Sequence, residues 1–187
     1  MDIEATSIAG VLIVRPKKFG DERGFFSEVF KQSVLREAGV AFDWVQDNHA
    51  FSASRGVVRG MHFQTAPFAQ AKLLRVTRGA VYDVAVDIRK GSPTYGAHVG
   101  VELSADNWAQ LLVPAGFAHG YCTLSEDTEV LYKVTAPYAP QNEGGLLWND
   151  PDLGVDWPIA HSEATLNARD ASWPRLRDLE SPFHYEA

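Results

Sequence analysis

Four side chains of this 187-residue sequence have types that suit a single proton-transfer site: His62, in Arg59-Gly60-Met61-His62-Phe63-Gln64, followed by Lys72, Tyr132 and Asp170. A histidine serves as a base near neutral pH, a lysine supplies a cation, a phenol supplies an acid, and a carboxylate orients the base. Together they suit abstraction of a proton beside a carbonyl and return of a proton elsewhere. None carries the argument alone. An isolated His62 reads equally as a surface or packed histidine, Lys72 as a solvated charge, and Tyr132 as a cross-strand aromatic.

Their neighbours sharpen the reading. Gly60 permits close backbone approach, and Arg59 can make a planar, two-point contact with a phosphate or carboxylate. Lys72 opens the run Leu73-Leu74-Arg75-Val76, so a strand there could point its ammonium into a ligand cavity. A second histidine, His119, follows the turn Pro114-Ala115-Gly116 and raises the question of a metal. Metal-binding barrels generally place two histidines one residue apart, but two positions after His62 stands Gln64, and His49, His98 and His161 are dispersed, so no metal is expected. Tyr138, between Pro137 and Pro140, reads either as a ring free to stack on a heterocycle or as simple loop packing.

The composition is that of an ordinary globular protein, 45% hydrophobic and 22% charged, and its length suits one domain spanning residues 1–187. A formal net charge of −7 argues against a generic nucleic-acid or anionic-membrane surface, so an anionic ligand must meet a local basic cluster. Cys122 is the only cysteine, which rules out an intramolecular disulfide and is compatible with a reducing cytoplasm. The acidic start Met1-Asp2-Ile3-Glu4 is unlike a signal peptide, and Val11-Leu12-Ile13-Val14 is too short to span a bilayer. A soluble, cytoplasmic protein is expected.

The elements that must position these residues are short and β-rich. Strands are predicted over Gly10–Val14, Phe25–Phe30, Leu73–Val76, Ala80–Ile88, Gln110–Val113 and Glu129–Thr135, separated by turn signals at Gly79, Gly91-Ser92-Pro93, Ala105-Asp106-Asn107, Pro114-Ala115-Gly116 and Ser125-Glu126-Asp127. That spacing suits an antiparallel sandwich or jelly-roll barrel, an all-β fold with a few short peripheral helices. One helix is read from Ser33, as N-cap, to about Ala38, with Gly39 as its stop. The tail from Asn149 carries Pro151, Pro158, Pro174 and Pro182 and should wrap the barrel in turns and brief helical pieces. Along Val81 to Ile88 the alternation puts Asp83 and Asp87 on one face with Val81 and Ala85. That face is either solvated or turned inward, with Asp83 aimed at an imidazole.

Several motifs converge on one family. Phe19-Gly20-Asp21-Glu22-Arg23-Gly24-Phe25-Phe26, Val45-Gln46-Asp47-Asn48-His49, Arg59 to Gln64, Pro114 to Gly120 and Leu147-Trp148-Asn149-Asp150-Pro151 appear in the family's order. From about Val11 to Asp170 the chain resembles dTDP-4-dehydrorhamnose 3,5-epimerases. The resemblance implies a metal-free, cofactor-independent cupin homodimer that epimerises a 4-keto-6-deoxy sugar carried on dTDP during L-rhamnose synthesis. It implies His62 as base, Tyr132 as acid, Asp170 as the carboxylate paired with the base, and Lys72 as the cation near the sugar keto oxygen. It further implies nucleotide-sugar contacts from Arg23, Glu28, Gln46, Asp47, Asn48, Arg59, His119 and Glu143, stacking of Tyr138 on thymine, and Asp83 as a further partner of the active-site histidine. Arg169 stands where the family usually has lysine, Ala71 where glycine is common, and Met61 where leucine is usual.

The chemistry explains why such groups are needed. The protons at C3 and C5 flank the C4 ketone, so loss of either leaves an enolate whose charge collects on the carbonyl oxygen, where a preorganised cation is most effective if water is excluded. Inversion then needs a proton delivered to the opposite face, since a lone base returning its own proton restores the starting configuration. Three competing readings remain at this stage: an epimerase acting at C3 only, a metal-dependent cupin oxygenase, and a sugar-nucleotide binding module without activity.

Overall fold

In a computed structural model, which describes residues 1–186, the chain folds as two facing antiparallel sheets. The six-stranded sheet is built from β1 (Asp2–Ala5), β2 (Leu12–Arg15), β5 (Gln46–Ser52), β7 (Lys72–Arg78), β11 (Gln110–Val113) and β13 (Thr128–Val134). Their spatial order is β1-β2-β11-β7-β13-β5. The five-stranded sheet contains β6 (Val58–Gln64), β8 (Ala80–Asp87), β10 (His98–Ser104), β12 (Phe117–Thr123) and β14 (Glu143–Gly145), in the order β10-β8-β12-β6-β14. Two small ribbons lie outside them: the hairpin of β3 (Lys18–Asp21) with β4 (Gly24–Ser27), and the parallel pair of β9 (Arg89–Lys90) with β15 (Phe183–His184).

Period-two alternation builds the core. Leu74 and Val76 of β7, Val81 and Ala85 of β8, Leu111 and Val113 of β11, Phe117 and Tyr121 of β12 and Val130 of β13 form one cluster between the sheets. The opposite face of β8 is largely covered as well. Val84 and Val86 pack with Trp148, Leu153, Trp157 and Ile159 of the tail in a second cluster, so the tail covers the five-stranded sheet from outside. A third cluster seats Leu35 and Val40 on Val14, Leu73 and Leu112 of the six-stranded sheet. The jelly-roll expectation therefore holds, as does that of a wrapping tail, whose brief helical pieces are 3₁₀ turns at His161–Glu163 and Leu176–Asp178.

Several details differ from the sequence reading. Asp83 and Asp87 are both fully buried, which overturns the solvated-face alternative for β8. Asp87 accepts hydrogen bonds from Arg89, Ser92 and Thr94, so its charge is met locally. The helix α1 (Gln32–Glu37) begins at a Lys31 N-cap with no side-chain cap bond, and Ser33 lies inside it. Gly39, at φ +84, ends it as expected, with Val40 N donating to Leu35 O at 2.8 Å. The strand expected at Phe25–Phe30 stops at Ser27, and β1, β3, β5, β6, β9, β10, β12, β14 and β15 lie outside the runs that the sequence marks as strands.

Candidate active site

The site begins at a close approach of two backbones. Gly60 of β6 has φ +134, and a Cβ built there would lie 2.4 Å from Gly120 Cα on β12. Only glycine fits that contact. Just beyond it the strands resume register with His62 directly opposite His119.

The two histidines make parallel arrangements. His62 Nε2 lies 2.7 Å from Asp170 Oδ1, and Asp170 Oδ2 accepts from Gly60 N at 3.2 Å. His119 Nε2 lies 2.8 Å from Asp83 Oδ1. An ionised carboxylate only accepts, so each pair puts the imidazole proton on Nε2 and leaves Nδ1 bare. Asp83 thus partners His119, not His62, and its imidazole is the one across the strand from the base candidate. Burial pushes the Asp170 carboxyl upward, but hydrogen bonding and charge from His62, with Gly60 N and Arg169, outweigh it and hold the group below the usual carboxylate range. Burial lowers His119 from its ordinary value against the pull of Asp83, keeping it neutral at physiological pH.

Lys72 and Tyr132 come from the facing sheet. Lys72 Nζ donates to the His62 carbonyl at 3.4 Å, and burial brings the ammonium down to about 8 while the charges of Asp83 and Glu143 oppose the fall. Burial raises the Tyr132 phenol, so it stays protonated at neutral pH. His62, Lys72, His119, Tyr132 and Asp170 line one cavity of about 250 Å³. An adjoining cavity of about 380 Å³ shares His62, Lys72 and Tyr132 and adds Gln46 and Asn48, whose side chains are joined by a 2.8 Å hydrogen bond.

The mouth is polar. Glu143 Oε2 is hydrogen-bonded by the Tyr138 hydroxyl at 3.1 Å and by Arg169 Nη1, and Arg169 Nε lies 3.9 Å from Asp170 Oδ1. Arg59, on the cavity wall, donates from Nη2 to Phe51 O at 3.0 Å. The structure therefore brings together His62, Lys72, Tyr132, Asp170, Arg59, His119, Tyr138, Glu143 and Arg169, with Gln46 and Asn48 beside them and Asp83 in the wall behind.

Three expected contact residues stand elsewhere. Arg23 is strongly exposed at the tip of the β3–β4 hairpin, paired with Asp21. Glu28 pairs with Lys31 at 3.7 Å, and Asp47 pairs with Lys133 at 2.8 Å on the outward face of β5, because it alternates with the inward Gln46 and Asn48. Glu28 and Asp47 line an outer groove of about 560 Å³, which shares Asn48 and Tyr132 with the inner cavities. Conversely, the cavity includes Tyr121 and Asn167, which sequence reading did not single out. Tyr121 lies two residues after His119 on the same strand face, a signal visible once 117–123 is read as a strand; Asn167 sits in an aperiodic tail.

Among the described residues no three His, Cys, Asp or Glu side chains converge as a metal-ligand set, and both histidine Nε2 atoms already meet carboxylates. What the arrangement offers is an imidazole with a fixed tautomer, a protonated phenol on the facing sheet, and a cation lining the same cavity. This is the equipment of an acid–base isomerase, on a cupin-like jelly roll.

Comparison with known proteins narrows the class. The sequence profile of the family described as dTDP-4-dehydrorhamnose 3,5-epimerase matches residues 5–178, and the chain belongs to that family. It is 53% identical over 185 residues to the dTDP-4-dehydrorhamnose 3,5-epimerase of Sinorhizobium fredii, covering 99% of this chain and 94% of that one. A Legionella pneumophila 3,5-epimerase solved with dTDP-4-keto-L-rhamnose superposes with a TM-score of 0.94 at 41% identity, covering 100% and 99% of the two chains. A 3′-monoepimerase from Streptomyces bikiniensis, solved with dTDP-quinovose, gives a TM-score of 0.86 at 35% identity, covering 93% and 87%.

Proposed function

We propose that the chain inverts C3 and C5 of dTDP-4-dehydro-6-deoxy-D-glucose to give dTDP-4-dehydro-L-rhamnose. The observation that supports this best is the entry of His62 and Tyr132 into one cavity from facing sheets. In this reading His62 Nδ1 removes the proton beside the C4 ketone, and Asp170 stabilises the imidazolium that forms. Lys72 holds the enolate oxygen. Tyr132 delivers a proton to the other face of the same carbon, and the sequence repeats at the second carbon.

The ligand's diphosphate would be met by Arg59 and Arg169 at the rim, which gives an acidic protein local cations for an acidic ligand. Tyr138, half exposed beside Glu143, would stack on the thymine. The chain is read as one domain acting as a homodimer. The apolar Phe19, Phe25 and Phe26 exposed on the β3–β4 hairpin support a second copy covering it, and Arg23 and Glu28 would then serve that copy's cavity. The lone buried Cys122 supports a cytoplasmic setting.

Likeness to a 3′-monoepimerase keeps inversion at C3 alone as the second reading. Incubation with dTDP-4-keto-6-deoxyglucose in heavy water, followed by proton NMR of the product, separates the two. Deuterium and inversion at both carbons is expected; inversion at C3 alone selects the second reading, and no exchange at either carbon removes both.

A further inference from the structure

Lys72 is a half-buried cation with little to hold it. Its ammonium has one protein acceptor, the His62 carbonyl, at the long distance of 3.4 Å. Two carboxylates, Asp170 and Glu143, line its cavity, and Asp83 stands in the wall behind His119. Asp170 gives one oxygen to His62 Nε2 and the other to Gly60 N. Glu143 Oε2 receives both Tyr138 and Arg169. Asp83 differs: it is fully buried, its Oδ1 meets His119, and among the described residues its Oδ2 has no hydrogen-bond partner. A buried charge with an idle oxygen calls for an explanation.

The topology supplies one. Lys72 lies two residues before Leu74 on β7, and Asp83 lies between Val81 and Ala85 on β8, while Leu74, Val81 and Ala85 share the core between the sheets. Alternation therefore turns the ammonium and the carboxylate toward each other across the sandwich. The other titratable or charged groups facing Lys72 are His62 and Arg59 from β6, His119 and Tyr121 from β12, and Tyr132 from β13, with Tyr138 and Arg169 at the mouth. None of these is an anion at neutral pH.

We propose that Asp83, held in place by His119, is a positioning residue: it is the countercharge that keeps Lys72 protonated and directed at the reacting carbonyl oxygen. Of the two charges that oppose the effect of burial on Lys72, Asp83 exerts the larger. The inference rests on the proposed enolate chemistry for its purpose, but not for its test. A purely structural Asp83, present only to orient His119, would leave the titration of Lys72 where it is.

The test follows the Lys72 ammonium by NMR in the full chain labelled with ¹⁵N-lysine, comparing wild type with Asp83→Asn and Asp83→Glu. Loss of an opposite charge at close range should lower the Lys72 midpoint by at least ~1 pH unit in Asp83→Asn. The alkaline limb of kcat should move the same way with KM changing less, and Asp83→Glu should restore both. An unmoved Lys72 midpoint in folded Asp83→Asn overturns the proposal. Because the titration needs no turnover, failure of the epimerase reading would leave this result standing. Should Asp83→Asn not fold, Lys72→Met is compared with Lys72→Met/Asp83→Asn. Removing both members of a charge pair should give the higher melting temperature, and a double variant melting no higher than Lys72→Met overturns the proposal equally.

Discussion

His62 and Tyr132 reach the same cavity from opposite leaves of the sandwich, His62 on β6 of the five-stranded sheet and Tyr132 on β13 of the six-stranded one. A planar enolate lying between the leaves presents one face to each residue. That arrangement separates the removal of a proton from its replacement, and the two steps can be dissected.

Tyr132→Phe should leave the first step working and disable the second. In heavy water the substrate carbons should still exchange, because His62 can return a solvent-derived proton to the face it came from, while inversion falls by about 10²-fold or more. Proton NMR reads exchange and inversion in the same sample. Normal inversion by the variant removes Tyr132 as the acid.

The base depends on its tautomer. With Asp170 Oδ1 at 2.7 Å fixing the proton on Nε2, the proposed reaction runs through Nδ1. His62→Ala should lower kcat by about 10²–10⁴-fold. Asp170→Asn should also lower kcat severely with a smaller change in KM, since an amide nitrogen at that position favours the wrong tautomer and gives the imidazolium no countercharge. If folded Asp170→Asn matches wild type in steady-state turnover, the pairing has no catalytic role.

In the proposed reaction the alkaline side of the pH profile should belong to Lys72. Burial, opposed by Asp83 and Glu143, brings its ammonium to about 8, so the cation is present below that pH and is lost as pH rises through it. The Tyr132 phenol is shifted upward and stays protonated over the same interval. Turnover should therefore fall about tenfold per pH unit above the midpoint, the slope of a single deprotonation. Lys72→Arg, whose guanidinium remains charged, should be less active at its optimum but show no such limb below pH ~10. A wild-type profile flat to that pH contradicts the assignment of Lys72 as the required cation.

How much of this was legible in the sequence varies by residue for physical reasons. The strand β8 shows through regular alternation and β7, β11 and β13 through short β-rich runs, while the catalytic candidates show through residue type and motif. β6 and β12 do not, although they carry His62 and His119, because Gly60 and Gly120 interrupt the alternation with residues selected for backbone approach and not for burial. The same interruption hid Tyr121. The pairing of Asp83 with His119 depends on register between β8 and β12, which no single strand encodes. Arg23, Glu28 and Asp47 show the reverse: motif placed them with the ligand contacts, and alternation and hairpin geometry put them outside this chain's cavity.

The glycine contact that concealed β6 also provides the strictest test of the architecture. At Gly60 an added methyl would meet Gly120 Cα at 2.4 Å and His119 O at 2.9 Å, on backbone atoms that cannot swing aside, with φ held at +134. Gly60→Ala must either force β6 away from β12 or refold the bend, at a destabilisation of roughly 2 kcal/mol or more. Both routes displace His62 from Asp170, whose second oxygen is fixed by the amide of Gly60 itself. Denaturant unfolding should show the stability loss, and the folded fraction should lose kcat disproportionately to KM. A variant of wild-type stability and turnover would mean that the close approach of these strands does not set the geometry of the base.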